Sequence, residues 1–172
     1  MKTINDVLQD GLHKNEVLAL DIAEHCGFYS GLDNYGVQHF PKNGAQPKYM
    51  GSDYDQYSVF GRWLKNTITE KGIKVVAAED VNVGTHFRGS VKLAQFQGIL
   101  LYICAELDIP VRLFNVASIK KHTTGDGNAD KAKMLKYAAT RYHLDFEGKH
   151  DACDAACVWF YFMHLYHEQI KR

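Results

Sequence analysis

Four carboxylates stand in segments of this chain that are otherwise apolar. Asp21, Glu79, Asp151 and Asp154 each occupy a position where a solvent-exposed acid is not expected. Burying several ionised carboxylates together is unfavourable unless a cation or a proton compensates their charge. The chain is therefore predicted to fold so that the four acids share a partner, and a divalent metal ion is the partner that oxygen ligands favour.

Two of these acids end strand-like segments. Residues 16–22 read EVLALDI, and the two-residue period of a strand puts Val17, Ala19 and Asp21 on one face. Residues 73–81 read IKVVAAEDV and repeat the pattern, with Glu79 on an apolar face. Each strand is predicted to offer one inward-facing acid. Taken singly, Asp21 could be the first turn residue after its strand, and Glu79 could pair with Lys74 or Arg88.

The other two acids begin a long apolar segment. Residues 150–166 are too many and too apolar for a strand, and Asp151 and Asp154 are three apart, on one side of a helix's first turn. Asp151 could instead cap this helix, with Asp154 completing an imperfect capping box. Acids on two apolar strands and twice on one helix together favour a shared site, and oxygen ligands alone indicate Mg²⁺ or Mn²⁺.

A basic segment lies between Ala117 and Tyr137. Its five lysines outnumber its two aspartates by three charges, although the whole chain balances 20 basic against 20 acidic residues. Lysines beside an acidic metal cluster suit phosphodiester cleavage, because cations hold the polyanion while metal ions act on the phosphate. A solvated helix face is the alternative interpretation. The lysines are Lys120, Lys121, Lys131, Lys133 and Lys136.

Length and cysteine usage narrow the class of protein. A chain of 172 residues can form one domain with a substantial core. The amino terminus lacks the apolar region of a signal peptide, and the longest stretches without formal charge, 93–105 and 155–167, are too short to span a membrane. The four cysteines lack a disulfide-framework spacing, so reduced core thiols and a cytoplasmic location are expected. A soft-metal site at His150, Cys153 and Cys157 lacks a CxxC pair.

The remaining segments alternate between strand and helix patterns. In the helix predicted at 90–107, Gly98 is expected to permit close packing against the sheet. In the helix predicted at 129–142, the residues expected to face inward are Ala132, Leu135, Ala139 and Tyr142. The pattern predicts an α/β fold, a mixed five-stranded sheet with helices on both faces. Besides the acid-bearing segments, it comprises a hairpin at 27–30 and 37–40, a loop at 41–53, helices at 59–71 and 90–107, a strand at 111–114, a loop at 123–128, a helix at 129–142 and a polar end at 167–172.

The order of these motifs resembles the RNase H-like superfamily and, within it, the RuvC-like Holliday junction resolvases. LALD ending at Asp21 is similar to the first-strand motif, and VVAAED is similar to the strand with the catalytic Glu79. KLAQFQG at 92–98 is similar to the helix that follows, 109–134 resembles the family's most recognisable block, and HDACDAACVWF resembles its terminal helix. The resemblance extends over residues 17–166.

The resemblance implies residue roles. Asp21, Glu79, Asp151 and Asp154 would hold two Mg²⁺ ions, with Mn²⁺ as a substitute. Lys120 and Lys131 match lysines that contact DNA near the cleaved phosphate, and Lys131 would also stabilise transition-state charge. Lys121 and Lys133 are the further DNA-binding candidates of the basic segment. His150 would either assist proton transfer or simply cap its helix.

The resemblance also implies a substrate and partners. A homodimer would nick a four-way DNA junction symmetrically, leaving 5′-phosphate and 3′-hydroxyl ends, and a branch-migration helicase is a possible partner. Residues 1–172 would form one nuclease domain, with 1–15 as an N-terminal extension. The alternatives are another RNase H-like nuclease, acting on branched DNA or RNA/DNA hybrids, and a non-catalytic junction-binding protein.

The chain departs from the family pattern at three places. Ile22, Ala23 and Glu24 follow the first aspartate where the family usually has a proline and a glycine. Asn82 stands where the family often has an aromatic residue near the junction centre, and Phe87 is a candidate to replace it. The segment 41–53 has no evident counterpart.

Overall fold

The structure is a computed structural model that describes residues 2–31, 34–40, 54–81, 87–144, 146 and 148–171. The loop predicted at 41–53 and the departure at Asn82 lie outside the described residues. The same holds for the side chains of Phe87 and Arg88, so the roles considered for them stay predictions.

Five strands form one mixed sheet with the spatial order β3-β2-β1-β4-β5. The first three strands pair antiparallel, whereas β1, β4 and β5 run parallel. The central strands β1 and β4 are buried on both faces, which explains their continuous apolar sequences. The predicted hairpin and mixed sheet are confirmed. The strands are β1 Val17–Asp21, β2 His25–Tyr29, β3 Tyr35–His39, β4 Val75–Glu79 and β5 Val111–Phe114.

Helices cover both faces of the sheet, as predicted. One core lies between the sheet face carrying Val17 and Val75 and helices α1, α4, α5 and α6; the other lies between the face carrying Leu18 and Val76 and helices α2 and α3. The helices are α1 Ile4–Gln9, α2 Tyr54–Lys71, α3 Phe87–Glu106, α4 Val116–Thr124, α5 Lys131–Tyr142 and α6 His150–Leu165.

Helix α4 was not expected, and the loop predicted at 123–128 was placed two residues too early. The Asn115 side chain caps α4 by accepting from the backbone N–H of Ala117 at 2.9 Å, and Gly125 ends it at φ 82°. Thr123 and Thr124 are buried in its last turn. The composition of this segment is typical of a loop, so the sequence did not predict a helix there. Packing against α5 and α6 stabilises α4.

Two packing predictions were wrong. Ala132 is exposed, whereas Leu135 and Tyr142 pack against the core as predicted, and the most deeply buried residues of α5 are Met134 and Ala138. Gly98 is exposed with open space around it. The glycine at the close contact between α2 and α3 is Gly61, where an added Cβ would lie 3.4 Å from Ile99 Cγ2.

The two ends of the chain pack together on the domain. Val7, Leu8 and Leu12 of the predicted extension are buried in the α6-side core. The backbone N–H of Lys171 donates to the carbonyl oxygen of Leu12 at 2.8 Å, and Ile170 packs against the same core. Ile170 and Lys171 therefore contact the domain, whereas the sequence predicted that 167–172 merely ends α6. Among the described residues, no helix has the length and apolarity needed to cross a membrane.

Candidate metal centre

Strands β1 and β4 bring the first two acids side by side. The strands are parallel with Leu20 opposite Ala78, so the next residues, Asp21 and Glu79, end neighbouring strands at the same edge of the sheet. Because side chains alternate along a strand, both acids extend the face that packs against α6. The predicted inward placement of these two carboxylates is confirmed.

Helix α6 brings the other two acids to this edge. Small residues, Ala152, Ala155 and Ala156, are fully buried against the sheet and let the helix approach it closely. The contact is tightest at Gly27, the antiparallel partner of Asp21, where an added Cβ would lie 1.8 Å from the Asp151 carbonyl oxygen. Gly27 thus sets the position of the first turn of α6. A glycine inside a strand signals such an approach, and the sequence reasoning missed it.

Three of the four acids converge closely. Asp21, Asp151 and Asp154 each offer a carboxylate oxygen, and these oxygens lie within 4.8 Å of one another. Glu79 ends the strand next to Asp21. The charge of Glu79 raises the pKa of Asp21, and the charge of Asp154 raises the pKa of Glu79. The four half-buried acids therefore surround one end of the sheet, and their oxygens could hold a hard divalent cation.

The cluster is electrostatically unfavourable when every member is ionised. Burial, reinforced by the charges of Glu79 and Asp154, raises the pKa of Asp21 well above its ordinary value. Burial and then Asp154 raise the pKa of Glu79 to about 7. Burial also raises the pKa of Asp154. Ionising these carboxylates together is therefore unfavourable without a compensating charge, which agrees with the shared partner that the sequence predicted.

The separate explanations for these acids fail where the structure tests them. Helix α6 is capped by Lys149, without a side-chain hydrogen bond, so neither Asp151 nor His150 is its N-cap. Lys74 pairs with Glu16 at 2.8 Å, so it does not serve Glu79. The structure therefore favours a shared site for the four acids over these separate roles.

Two lysines of the basic segment lie close enough to act on the acids. Lys131 is the first residue of α5, and its positive charge partly offsets the rise in the pKa of Asp21, Glu79 and Asp154. Lys120 of α4 does the same for Glu79 and Asp154. The other candidates are placed differently. Lys133 Nζ binds Asp126 Oδ2 at 2.8 Å, and Lys121 is exposed in the last turn of α4.

Two open depressions lie near the cluster, and one of them is lined by Asp151. One has a volume of about 630 Å³ and is lined by Lys131, Lys149, His150 and Asp151 among others. The other, of about 440 Å³, is lined by Lys120 and by Asp80, which follows Glu79 in the chain. The first depression thus places the basic side chain of Lys131 beside a cluster acid, and the second places Lys120 beside the residue that follows Glu79.

The soft-metal alternative gains no support. All four cysteines are free and buried, as expected. In the part of the chain that the structure describes, His150, Cys153 and Cys157 do not gather their ligand atoms as the acids do. The neighbouring Cys157 thiol, together with burial, raises the pKa of the Cys153 thiol.

A mixed five-stranded sheet with helices on both faces and acids gathered at one edge is the arrangement of the RNase H-like fold class. The family model described as crossover junction endodeoxyribonuclease RuvC matches residues 54–160. The chain belongs to this family.

Individual relatives agree with this assignment. The crossover junction endodeoxyribonuclease RuvC of Aliivibrio salmonicida is 29% identical over 138 residues, covering 75% of this chain and 79% of the relative. The protein of the same description from Rickettsia conorii is 27% identical over 119 residues, covering 63% and 76%.

Solved structures share the fold. Thermus thermophilus RuvC in complex with a Holliday junction substrate matches with a TM-score of 0.67 at 15% identity, over 90% of this chain and 97% of that one. The yeast mitochondrial Holliday junction resolvase matches with a TM-score of 0.60 at 13% identity, over 98% and 88%. The predicted RNase H-like architecture is thereby confirmed.

Proposed function

We propose that the protein resolves four-way DNA junctions by metal-dependent phosphodiester hydrolysis. The observation that carries the proposal is the convergence of Asp21, Asp151 and Asp154 oxygens within 4.8 Å, beside Glu79, in a chain of the RuvC family. A relative of known structure is described as bound to a Holliday junction substrate, which supports the choice of substrate. Symmetric nicks with 5′-phosphate and 3′-hydroxyl ends are the expected products.

The four carboxylates are the proposed ligands of two Mg²⁺ ions, with Mn²⁺ as a substitute. Bound there, the ions would provide an activated water and charge neutralisation at the departing 3′ oxygen. The chain's own contribution is placement. The sheet fixes Asp21 and Glu79, and Gly27 allows α6 to deliver Asp151 next to them. The pKa of about 7 at Glu79 means that metal binding competes with protonation near neutral pH.

Lysines on α4 and α5 are the proposed DNA contacts. Lys131 lies nearest the reacting phosphate in this proposal, because its charge reaches three of the four acids. It would stabilise the negative charge that develops during cleavage. Lys120 would hold the adjacent phosphate, and Lys121 would contact DNA further out. Lys133 is a weaker candidate, since Asp126 occupies its ammonium group.

His150 is proposed to approach the DNA, not to cap α6. It is exposed and lines the same depression as Lys131, and its charge lowers the pKa of Asp154. A proton-transfer role for it stays a hypothesis.

The assembly proposed for resolution is a homodimer, because the two equivalent strands of a junction are related by a two-fold axis. Junction delivery by a branch-migration helicase fits the same proposal. The free buried thiols fit a reducing compartment such as the cytoplasm, and one domain spanning 1–172 fits the packing of α1 on the core.

A substrate panel tests the proposal. The protein is incubated with a mobile four-way junction, a linear duplex and an RNA/DNA hybrid, each with Mg²⁺ or with EDTA. We expect nicking of the junction alone, lost with EDTA and with Asp21→Asn. Asp10→Asn is the matched control, because Asp10 is an exposed acid that pairs only at the surface with Lys2.

The other outcomes select the rival functions. Preferential cutting of the hybrid would favour a different RNase H-like nuclease. Tight junction binding with no cutting under any metal condition would favour a non-catalytic binding protein. Either result would contradict the resolvase proposal.

A further inference from the structure

A second group of metal-ligating side chains lies outside the carboxylate cluster. Glu24, His25 and His39 bring one carboxylate oxygen and two imidazole nitrogens within 4.8 Å of one another. Two nitrogens and one oxygen form a different donor set from the all-oxygen cluster. Imidazole suits borderline ions such as Zn²⁺, whereas Mg²⁺ prefers oxygen ligands.

The register of the hairpin explains why the two histidines meet. His25 and His39 are direct partners in the antiparallel pairing of β2 with β3. The neighbouring pair is hydrogen-bonded, because the Phe40 N–H donates to the Glu24 carbonyl oxygen at 2.9 Å. Pairs alternate along an antiparallel ladder, so His25 and His39 occupy the close, non-hydrogen-bonded position.

The two rings lie close together in a stacked arrangement, in which their nitrogen lone pairs lie in parallel planes and do not converge on one ion. Their centroids are 4.2 Å apart and their planes differ by 4°, and both side chains are exposed. A tetrahedral ion bound at about 2.0–2.1 Å from each nitrogen requires the two nitrogens to be about 3.3 Å apart. Binding one ion therefore requires the exposed rings to rotate out of the stack about their side-chain torsions, so that both lone pairs point to the ion, and this rotation does not require the strands to move.

Glu24 is held in place as the third donor. Lys92 Nζ donates to Glu24 Oε2 at 2.8 Å, while Glu24 Oε1 lies 3.7 Å from His39 Nε2. The hydrogen bond from Lys92, as the main cause, lowers the pKa of Glu24 to about 2. The Glu24 carboxylate is thus ionised. Its Oε2 is held by Lys92 of α3, and its Oε1 faces the histidines.

We propose that Glu24, His25 and His39 form a second cation site that binds a Zn²⁺-class ion between β2 and β3. The site is separate from the four acids. It lies at the same edge of the sheet, because His25 is two residues from Gly27, which pairs with Asp21. Among the described strands, β3 lies at the edge of the sheet and pairs with β2. A bound ion would cross-link the edge strand to its neighbour beside the catalytic acids.

Zn²⁺ binding to the whole protein tests the site. Equilibrium dialysis with ZnCl₂ is performed in excess Mg²⁺, which occupies the oxygen ligands, and Co²⁺ absorption reports nitrogen coordination independently. We expect one equivalent of tight binding, weakened at least about tenfold by His25→Ala or His39→Ala and also weakened by Glu24→Gln. His167→Ala is the matched control, because His167 is an exposed histidine 3.9 Å from Glu168 and should leave binding unchanged.

Two results would overturn the site. One is Zn²⁺ affinity that is the same in His25→Ala, His39→Ala and the unaltered protein. The other is affinity lost in Asp21→Asn but kept in His25→Ala, which would assign the ion to the carboxylate cluster. Circular dichroism before metal addition confirms that each variant is folded, and His25→Gln provides a polar replacement if the alanine variant is not.

Discussion

Replacing Glu79 by glutamine should stabilise the metal-free protein while abolishing cleavage. Glu79 ends a buried strand beside Asp21, and at high pH its ionised carboxylate faces other negative charges. Glutamine has nearly the same shape without the charge. The substitution therefore removes the repulsion that the metal ions are proposed to neutralise, and a gain of stability with a loss of function is the expected signature.

The size of the gain follows from the pKa. The carboxyl of Glu79 moves from an ordinary value of 4.5 to about 7. Because the folded state holds this proton more tightly than the unfolded chain, stability falls as the pH rises from 4.5 to about 7. The shift corresponds to about 3 kcal/mol of unfolding free energy at pH 8. For a domain of this length, that equals a melting temperature roughly 6–12 °C higher.

Thermal unfolding in EDTA at pH 8 and pH 4.5 measures this effect. We expect Glu79→Gln to melt above the unaltered protein at pH 8 and close to it at pH 4.5. Glu70→Gln, at an exposed position of α2, is the matched control and should change little at either pH. An equal gain at both pH values, or no gain at pH 8, would refute the electrostatic reasoning.

Three further predictions concern the same site. Lys131→Ala should slow junction cleavage about 100-fold, and Lys133→Ala less than about threefold, in single-turnover assays at saturating protein; equal effects would contradict the assigned positions. Gly27→Ala should lower the unfolding free energy by about 3 kcal/mol or more in denaturant titrations, because its Cβ would overlap Asp151, whereas Gly98→Ala should raise it by about 0.5–1 kcal/mol. Mg²⁺ affinity, measured calorimetrically, should fall as the pH drops below about 7 because Glu79 takes up a proton, and a pH-independent affinity would exclude that competition.

The sequence alone predicted which strands and which helix carry the four acids. The apolar patterns around Asp21 and Glu79 predicted two buried strands, and parallel pairing then requires their ends to meet. The three-residue spacing of Asp151 and Asp154 predicted their common side of α6. These inferences succeeded because each depends on local periodicity and on one buried face.

Features that depend on tertiary contacts escaped the sequence. Helix α4 has threonines in its last turn and is held by packing, so its composition resembled a loop. The buried face of α5 includes Met134 instead of Ala132 because α4 and α6 determine its rotation. The contact of Gly27 with α6 and the meeting of His25 with His39 require the strand register, which no single segment encodes.

A supercoiled plasmid that extrudes a cruciform tests the central claim most directly. With Mg²⁺, the protein is predicted to linearise the plasmid by paired nicks across the junction, and DNA ligase should reseal those nicks because they carry 5′-phosphate and 3′-hydroxyl ends. Glu79→Gln and EDTA should each leave the plasmid supercoiled. Cruciform binding without cleavage by the unaltered protein, or cleavage that persists in Glu79→Gln, would contradict the account.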